Sequence, residues 1–324
     1  MPNHPPLIDV HHHALPPIYM KTLGDGVAIP GVDYPRWSPD ISLEAMDANS
    51  IGSAVLSITA PGLSMLDAGT SRRLARQINE YFSEQVREHP TRFGAFATLP
   101  LPDVAAAKDE LAYAVDELGL DGVGLLTAYH GRYLCDPEFE PLLAEIADRG
   151  LALHVHPGIP PSKDLATFGL PPSLYEYTFE TTRTAVGLLY SGVLDRLPHL
   201  KLILSHAGGT LPFLAKRITY GPVIGDYLTE RAPADPIASL RRLYYDIAMS
   251  VNEFALPTLD TLADPSHILY GSDFPFMPVD QTADSVASFA AYGGWGDEQR
   301  AAVARENALK LFPTLAERLS VPPA

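Results

Sequence analysis

Eight short apolar runs recur along the 324-residue chain, and most are separated by stretches with helical spacing. In order they are Leu7–His13, Ser53–Thr59, Phe93–Pro100, Gly122–Leu126, Leu151–Pro157, Leu200–His206, Leu243–Ala248 and His267–Asp273. Hydrophobic residues follow one another in them without polar alternation, the pattern of strands covered on both faces. Helices are expected over Ser71–Arg87, Val104–Glu117, Asp136–Arg149 (with Gly150 as its cap), Glu180–Leu194 and Gln299–Phe312. Such an alternation predicts a parallel (β/α)8 TIM barrel of the α/β class. An open doubly wound sheet is the rival, but it calls for a glycine-rich phosphate loop after an early strand, and none is present. No internal repeat or low-complexity linker divides the chain, so residues 1–324 read as one domain. Gly24–Pro39 reads as a long loop, and the tail after Phe312 shows no period.

Composition narrows what such a barrel acts on. Hydrophobic residues make up 46% and charged residues 19%, the balance of a globular chain with a large core. A net charge of −16 argues against a nucleic-acid partner, which needs a basic surface. It leaves room for a small anionic substrate, because a local metal outweighs a distant negative surface. Cys135 is the single cysteine, which excludes an internal disulfide and fits a reducing compartment. Residues Met1–Pro6 have no basic region or long apolar core, so no secretory signal is expected. No apolar run approaches the roughly 18 residues of a membrane span. The expectation is a soluble, cytoplasmic protein.

The chemistry-bearing residues fall at the C-terminal ends of the runs, where barrel enzymes assemble their sites. In Asp9-Val10-His11-His12-His13, alternation along a strand puts His11 and His13 on one face and His12 on the other. Taken alone, the triplet fits a disordered His-rich start as well as half a metal site. His156 ends the fifth run, His206 the sixth and Asp273 the eighth, so all converge if the strands close into a barrel. Such imidazoles with one carboxylate suit Zn²⁺ or a similar divalent ion, with a position open for water or substrate. His12 is expected to pack or to support a ligand, His154 to be hydrogen-bonded one layer deeper than His156, and Asp9 to orient the strand or an imidazole. Arg183 matches a substrate carboxylate by its fork geometry, and a structural salt bridge equally well. Phe274, Phe276 and Trp37 suit an aromatic substrate pocket, or simple packing near the barrel mouth.

Asp9-Val10-His11-His12-His13, His156-Pro157, Ser205-His206-Ala207-Gly208-Gly209 and Tyr270-Gly271-Ser272-Asp273-Phe274-Pro275 resemble the motifs of the amidohydrolase-related decarboxylases. That group includes the aminocarboxymuconate-semialdehyde and ortho-hydroxybenzoate decarboxylases. Phe179-Glu180-Thr181-Thr182-Arg183 and the stretch Leu211–Ile218 support the likeness, which runs in order over nearly the whole chain. The triple histidine followed by Leu15-Pro16-Pro17 is most similar to the 6-methylsalicylate decarboxylase branch. The resemblance implies metal ligands at His11, His13, His156 and Asp273, with His206 beside the metal as ligand or acid/base. The wider superfamily often bridges a second metal with a carboxylated lysine at the end of the fourth strand; here that strand runs into Leu125-Leu126-Thr127-Ala128-Tyr129-His130. One ion per chain is therefore implied, Zn²⁺ first and Mn²⁺ second, in a homodimer or homotetramer acting on a small carboxylic acid.

The chemistry agrees with decarboxylation of an ortho-hydroxylated aromatic acid. Direct loss of CO₂ would leave an aryl carbanion with no orbital to stabilise it, whereas protonating the carboxyl-bearing carbon first makes the bond labile. A metal chelating the carboxylate and neighbouring phenolate oxygen would hold and polarise the substrate, and a proton donor must reach that carbon. Asp273 is the first choice and His206 the second, although a neighbouring cation lowers a carboxyl pKa and opposes the protonated form of Asp273. A hydrolase using metal-activated water on a lactone, ester or amide is the rival activity, and a barrel with a purely structural metal is the non-enzymatic alternative.

Overall fold

The structure is a computed structural model that describes residues 4–24, 28–29, 32–162, 166 and 168–321. Parts of the expected loop Gly24–Pro39 (25–27 and 30–31), the first three residues and the last three of the tail therefore lie outside the described residues. Eight parallel strands form one sheet: β1 (Leu7–His13), β2 (Ile51–Ser57), β3 (Phe93–Thr98), β4 (Gly122–Leu126), β5 (Ala152–His156), β6 (Lys201–Leu204), β7 (Tyr244–Asp246) and β8 (Ile268–Leu269). Each pairs with the next in sequence order. The ring closes where the chain after β8 returns beside β1. There Val10 N donates to Tyr270 O at 3.0 Å, Asp273 N to His11 O at 2.9 Å, and His13 N to Phe274 O at 2.7 Å. This is the barrel that the apolar runs predict.

All eight strands lie close to their expected positions, but the sixth, seventh and eighth are shorter than expected. β6 ends at Leu204, and His206 sits in a 3₁₀ turn, His206–Gly208. β8 ends at Leu269, four residues before Asp273. The helix Ala68–Glu88 starts before the expected Ser71 because the Asp67 side chain caps it, accepting from Thr70 N at 3.0 Å. The expected Glu180–Leu194 helix instead runs Glu176–Tyr190, and Gly192 at φ 78° breaks it before a further turn, Val193–Arg196. The tail after Phe312 is also corrected: Pro313–Ser320 is a helix, too short for its period to stand out. Its Leu315 joins Phe312, Leu311 and Ala308 in sealing the N-terminal end of the barrel against Ile8, Val10, Val55, Phe96 and Ile203. Among the described residues no helix is long and apolar enough to cross a membrane.

β1 carries the feature that aims the site. Between Asp9 and His12 the strand advances three residues while its partner β2 advances two, from Ala54 to Leu56. This extra residue is a β-bulge. Ile8 and Val10 share the interior cluster with Phe96 and Leu269, yet the next residue, His11, also faces inward, 4.9 Å ring to ring from His154. Asp9 pins the bulge: Oδ1 accepts from His11 N at 3.1 Å and Ser272 N at 2.9 Å, and Oδ2 accepts from Ser272 Oγ at 2.5 Å and faces His12 Nδ1 at 2.9 Å. Replacing Asp9 with alanine leaves these donors buried and unpaired, and should lower unfolding stability by about 3–5 kcal/mol, read as a fall in the urea midpoint.

Candidate metal centre

Four buried donors converge above the bulge. One ligand atom from each of His11, His13, His156 and Asp273 lies within 4.8 Å of all the others. His11 Nε2 and His13 Nε2 are 3.1 Å apart, and each is 3.1 Å from Asp273 Oδ1. Donors bound to a common ion at roughly 2.1 Å in a tetrahedral arrangement stand roughly 3.4 Å apart, so the spacing suits a single metal ion. The far side of each imidazole is held by oxygen, which turns its Nε2 toward the cluster. His11 Nδ1 faces Asp246 Oδ2 at 3.0 Å, His156 Nδ1 donates to Pro157 O at 2.8 Å, and Ser57 Oγ lies 3.3 Å from His13 Nδ1. Gly271 makes room, because a Cβ there would meet His11 Cβ at 2.8 Å.

His206 completes the ring of imidazoles, with its Nε2 3.9 Å from Asp273 Oδ2. Its Nδ1 is buried without a hydrogen-bond partner among the described residues. His206 (φ 55°) and Asp273 (φ 62°) both hold the left-handed backbone conformation that non-glycine residues rarely adopt, as does Met249 (φ 53°) at the cavity wall. Such backbone strain concentrates at functional sites.

The residue that sequence reasoning missed is Asp246, at the end of β7. It is fully buried, and its Oδ2 meets both His11 Nδ1 and His154 Nε2 at 3.0 Å, while its Oδ1 accepts from His206 N and Ala248 N at 3.1 Å. A carboxylate within the otherwise apolar run Leu243–Ala248 was the available signal. His154 is thus hydrogen-bonded in the core, where it also stacks on Phe96. His12 points away from the cluster, between Asp9 and Ser42 Oγ.

Burial opposes protonation throughout this cluster, and the carboxylates decide where it is overcome. For His11, burial is outweighed by Asp246 and Asp273, which push its pKa up to about 10. For His156, burial and the neighbouring imidazoles act together and hold the ring neutral, well below its ordinary range. His13 is also lowered, by burial above all. Asp273, despite burial, is kept well below the usual carboxylate range by His11, His13 and His206.

The cluster opens onto a cavity of about 430 Å³ lined by His156, His206 and Asp273 together with Thr59, Tyr177, Leu174, Met249 and Phe276. Arg183, Phe274 and Trp37, the three expected substrate contacts, do not line it. Arg183 is ion-paired to Glu180 and lies 3.7 Å from Glu176; Phe274 is buried beside His12, ring centroids 5.0 Å apart. Trp37 Nε1 donates to Ser42 Oγ at 2.8 Å. Of the aromatic candidates, Phe276 reaches the wall, 5.5 Å from His13.

The profile of the amidohydrolase family matches residues 8–314, and the chain belongs to that family. It is 40% identical to the decarboxylase yanB of Aspergillus niger over 323 residues, covering 94% of this chain and 87% of that one. It is 37% identical to the 6-methylsalicylic acid decarboxylase acuB of Aspergillus aculeatus, covering 97% and 99%. Among solved structures, the 5-carboxyvanillate decarboxylase LigW of Sphingomonas paucimobilis superposes with a TM-score of 0.84 at 27% identity, covering 95% and 98%. With relatives of this kind over nearly all of its length, the chain is an enzyme of the carboxy-lyase class.

The raised pKa of His11 gives the site a pH signature. An ion held by His11 would displace the proton that Asp246 and Asp273 favour on that imidazole, so ion affinity should rise by about tenfold per pH unit over the range in which His11 is protonated. Calorimetric titration of the metal-free protein at pH 7, in buffers of different ionisation enthalpy, should report about one proton released per ion.

Proposed function

We propose that this chain is a metal-dependent, non-oxidative decarboxylase of a small aromatic acid with a hydroxyl group ortho to its carboxylate. His11, His13, His156 and Asp273 would hold one divalent ion, and this mixture of imidazoles and a carboxylate favours Zn²⁺ first and Mn²⁺ second. The observation that carries the reading is a buried donor cluster opening onto a largely apolar cavity, in a chain 37% identical to a 6-methylsalicylic acid decarboxylase. When bound, the ion supplies Lewis-acid polarisation of the substrate's carboxylate and neighbouring phenol oxygen.

The protein's own groups do the rest. Phe276, Met249 and Leu174 give the cavity an apolar wall against which the aromatic ring would pack. Asp273 is held ionised by the imidazoles around it, so its proton arrives with the substrate. The phenol gives its proton to Asp273, with His206 Nε2 facing the Oδ2 atom from 3.9 Å. Asp273 then returns that proton to the carbon bearing the carboxylate. The carbon–carbon bond breaks, its electron pair restores the aromatic ring, CO₂ departs, and the phenolate product takes up a proton from water. The single unpaired Cys135 supports a cytoplasmic location. Exposed Phe213, Val223, Tyr227 and Phe254 support a homodimer or homotetramer, which light scattering would contradict by returning the 35.1 kDa mass of one chain.

Turnover of 6-methylsalicylate in D₂O should place one deuterium on the former carboxyl-bearing carbon for each CO₂ released. Product that instead carries ¹⁸O from labelled water, with no CO₂, would make the enzyme a hydrolase. Asp273→Asn should lower kcat by about a thousandfold, and near-normal turnover in that variant would refute the role given to Asp273.

A further inference from the structure

Tyr177 forms part of the cavity wall at the start of the helix Glu176–Tyr190. It is 8% exposed, and its ring packs edge-on against His156 with centroids 5.9 Å apart. Three nearby tyrosines have settled hydroxyls: Tyr19 donates to Thr59 O at 2.8 Å, Tyr34 to Ala60 O at 3.1 Å and Tyr245 to Leu240 O at 2.8 Å. The Tyr177 hydroxyl has no such partner among the described residues, although it lies in the electrostatic field of Asp273 and of the Tyr34 hydroxyl. The hydroxyl is open to the cavity, where water serves it until an acceptor on a ligand takes that place.

Charge points the same way. The described residues lining the cavity include the carboxylates Asp33 and Asp273 but no lysine or arginine. The expected cation, Arg183, is committed to Glu180. Two of the other hydroxyls are also committed, Thr178 Oγ1 to Tyr175 O at 2.7 Å and Ser250 Oγ to Ala248 O at 3.0 Å. Beside the ion that would hold its carboxylate, an anionic ligand entering this space can use an uncommitted neutral donor, and Tyr177 offers one beside His156.

We infer that Tyr177 is a substrate-binding residue whose hydroxyl donates a hydrogen bond to the carboxylate of the bound acid while its ring shapes the pocket beside His156. The inference rests on the reading of the site as an aromatic-acid decarboxylase. It also gives Tyr177 a part in selectivity. A contact made to the carboxylate is lost when CO₂ leaves, so the acid is held more tightly than the phenol product and the product is released.

Tyr177→Phe keeps the ring and removes the hydroxyl. With the metal-loaded protein, calorimetry on this variant should show salicylate binding weakened by about 10- to 100-fold, with phenol binding changed less than about twofold. KM for 6-methylsalicylate should rise in step, while metal content and Tm stay at wild-type values. Salicylate affinity within about twofold of wild type would overturn the inference, as would an equal loss for salicylate and phenol, which marks a packing role. If the wild-type protein binds salicylate but releases no CO₂ from either acid, the decarboxylase reading fails while the calorimetric comparison still judges Tyr177. If it binds no salicylate at all, both fall.

Discussion

The arrangement of the site depends on one buried carboxylate that is not itself among the converging donors. Asp9 accepts from the backbone of His11, from both the backbone and hydroxyl of Ser272, and pairs with His12. It thereby holds the first strand to the last stretch of the ring and stabilises the extra residue in β1. Below the bulge, Ile8 and Val10 point inward and belong to the apolar plug; above it, His11 and His13 do. The same strand thus switches from packing to chemistry within one residue. Side-chain direction in a strand has period two, so one inserted residue changes which side chains face the interior.

Above that seam the site is an alternation of imidazoles and carboxylates. Asp246 lies between His11 and His154 on the inner side, and Asp273 lies between His11, His13 and His206 on the cavity side. His11 touches both carboxylates, and for that reason it, unlike His13 and His156, is pushed strongly toward the protonated form. Removing its proton leaves a site with two carboxylates and neutral nitrogens, an electrostatic environment suited to a divalent cation. Asp246 also takes the backbone N–H of His206, so one buried group orients a donor, a deeper histidine and the cavity-facing imidazole.

Much of this was legible in the sequence. The parallel barrel followed from eight unalternating apolar runs, because strands sandwiched between helices and a packed interior need hydrophobic residues on both faces. The convergence of His11, His13, His156, His206 and Asp273 followed from their places at the ends of the apolar runs, and the resemblance to the decarboxylases singled out four of them as ligands. Other features were not legible, for specific reasons. Strict alternation selects His11 and His13 together but cannot say that they face inward; that depends on the bulge, which leaves no periodic mark. Asp246 was hidden because its role exists only between residues from three different strands. Arg183 offered the right functional group, but Glu176 and Glu180 lie on the same helix, so a local ion pair forms in place of a contact with the cavity. The helix Pro313–Ser320 is brief enough that its amphipathicity is visible only once Leu315 is seen against the barrel floor.

The contact between Asp9 and Ser272 joins positions 263 residues apart. During synthesis, therefore, β1 emerges from the ribosome long before the segment that completes it. His11 and His13 are made while Asp273 is still untranslated, and loop closure over such a span is entropically costly. A nascent chain in that interval presents two adjacent imidazoles without the carboxylate that joins them in the finished cluster. The full set of converging donors therefore exists only once the ring has closed.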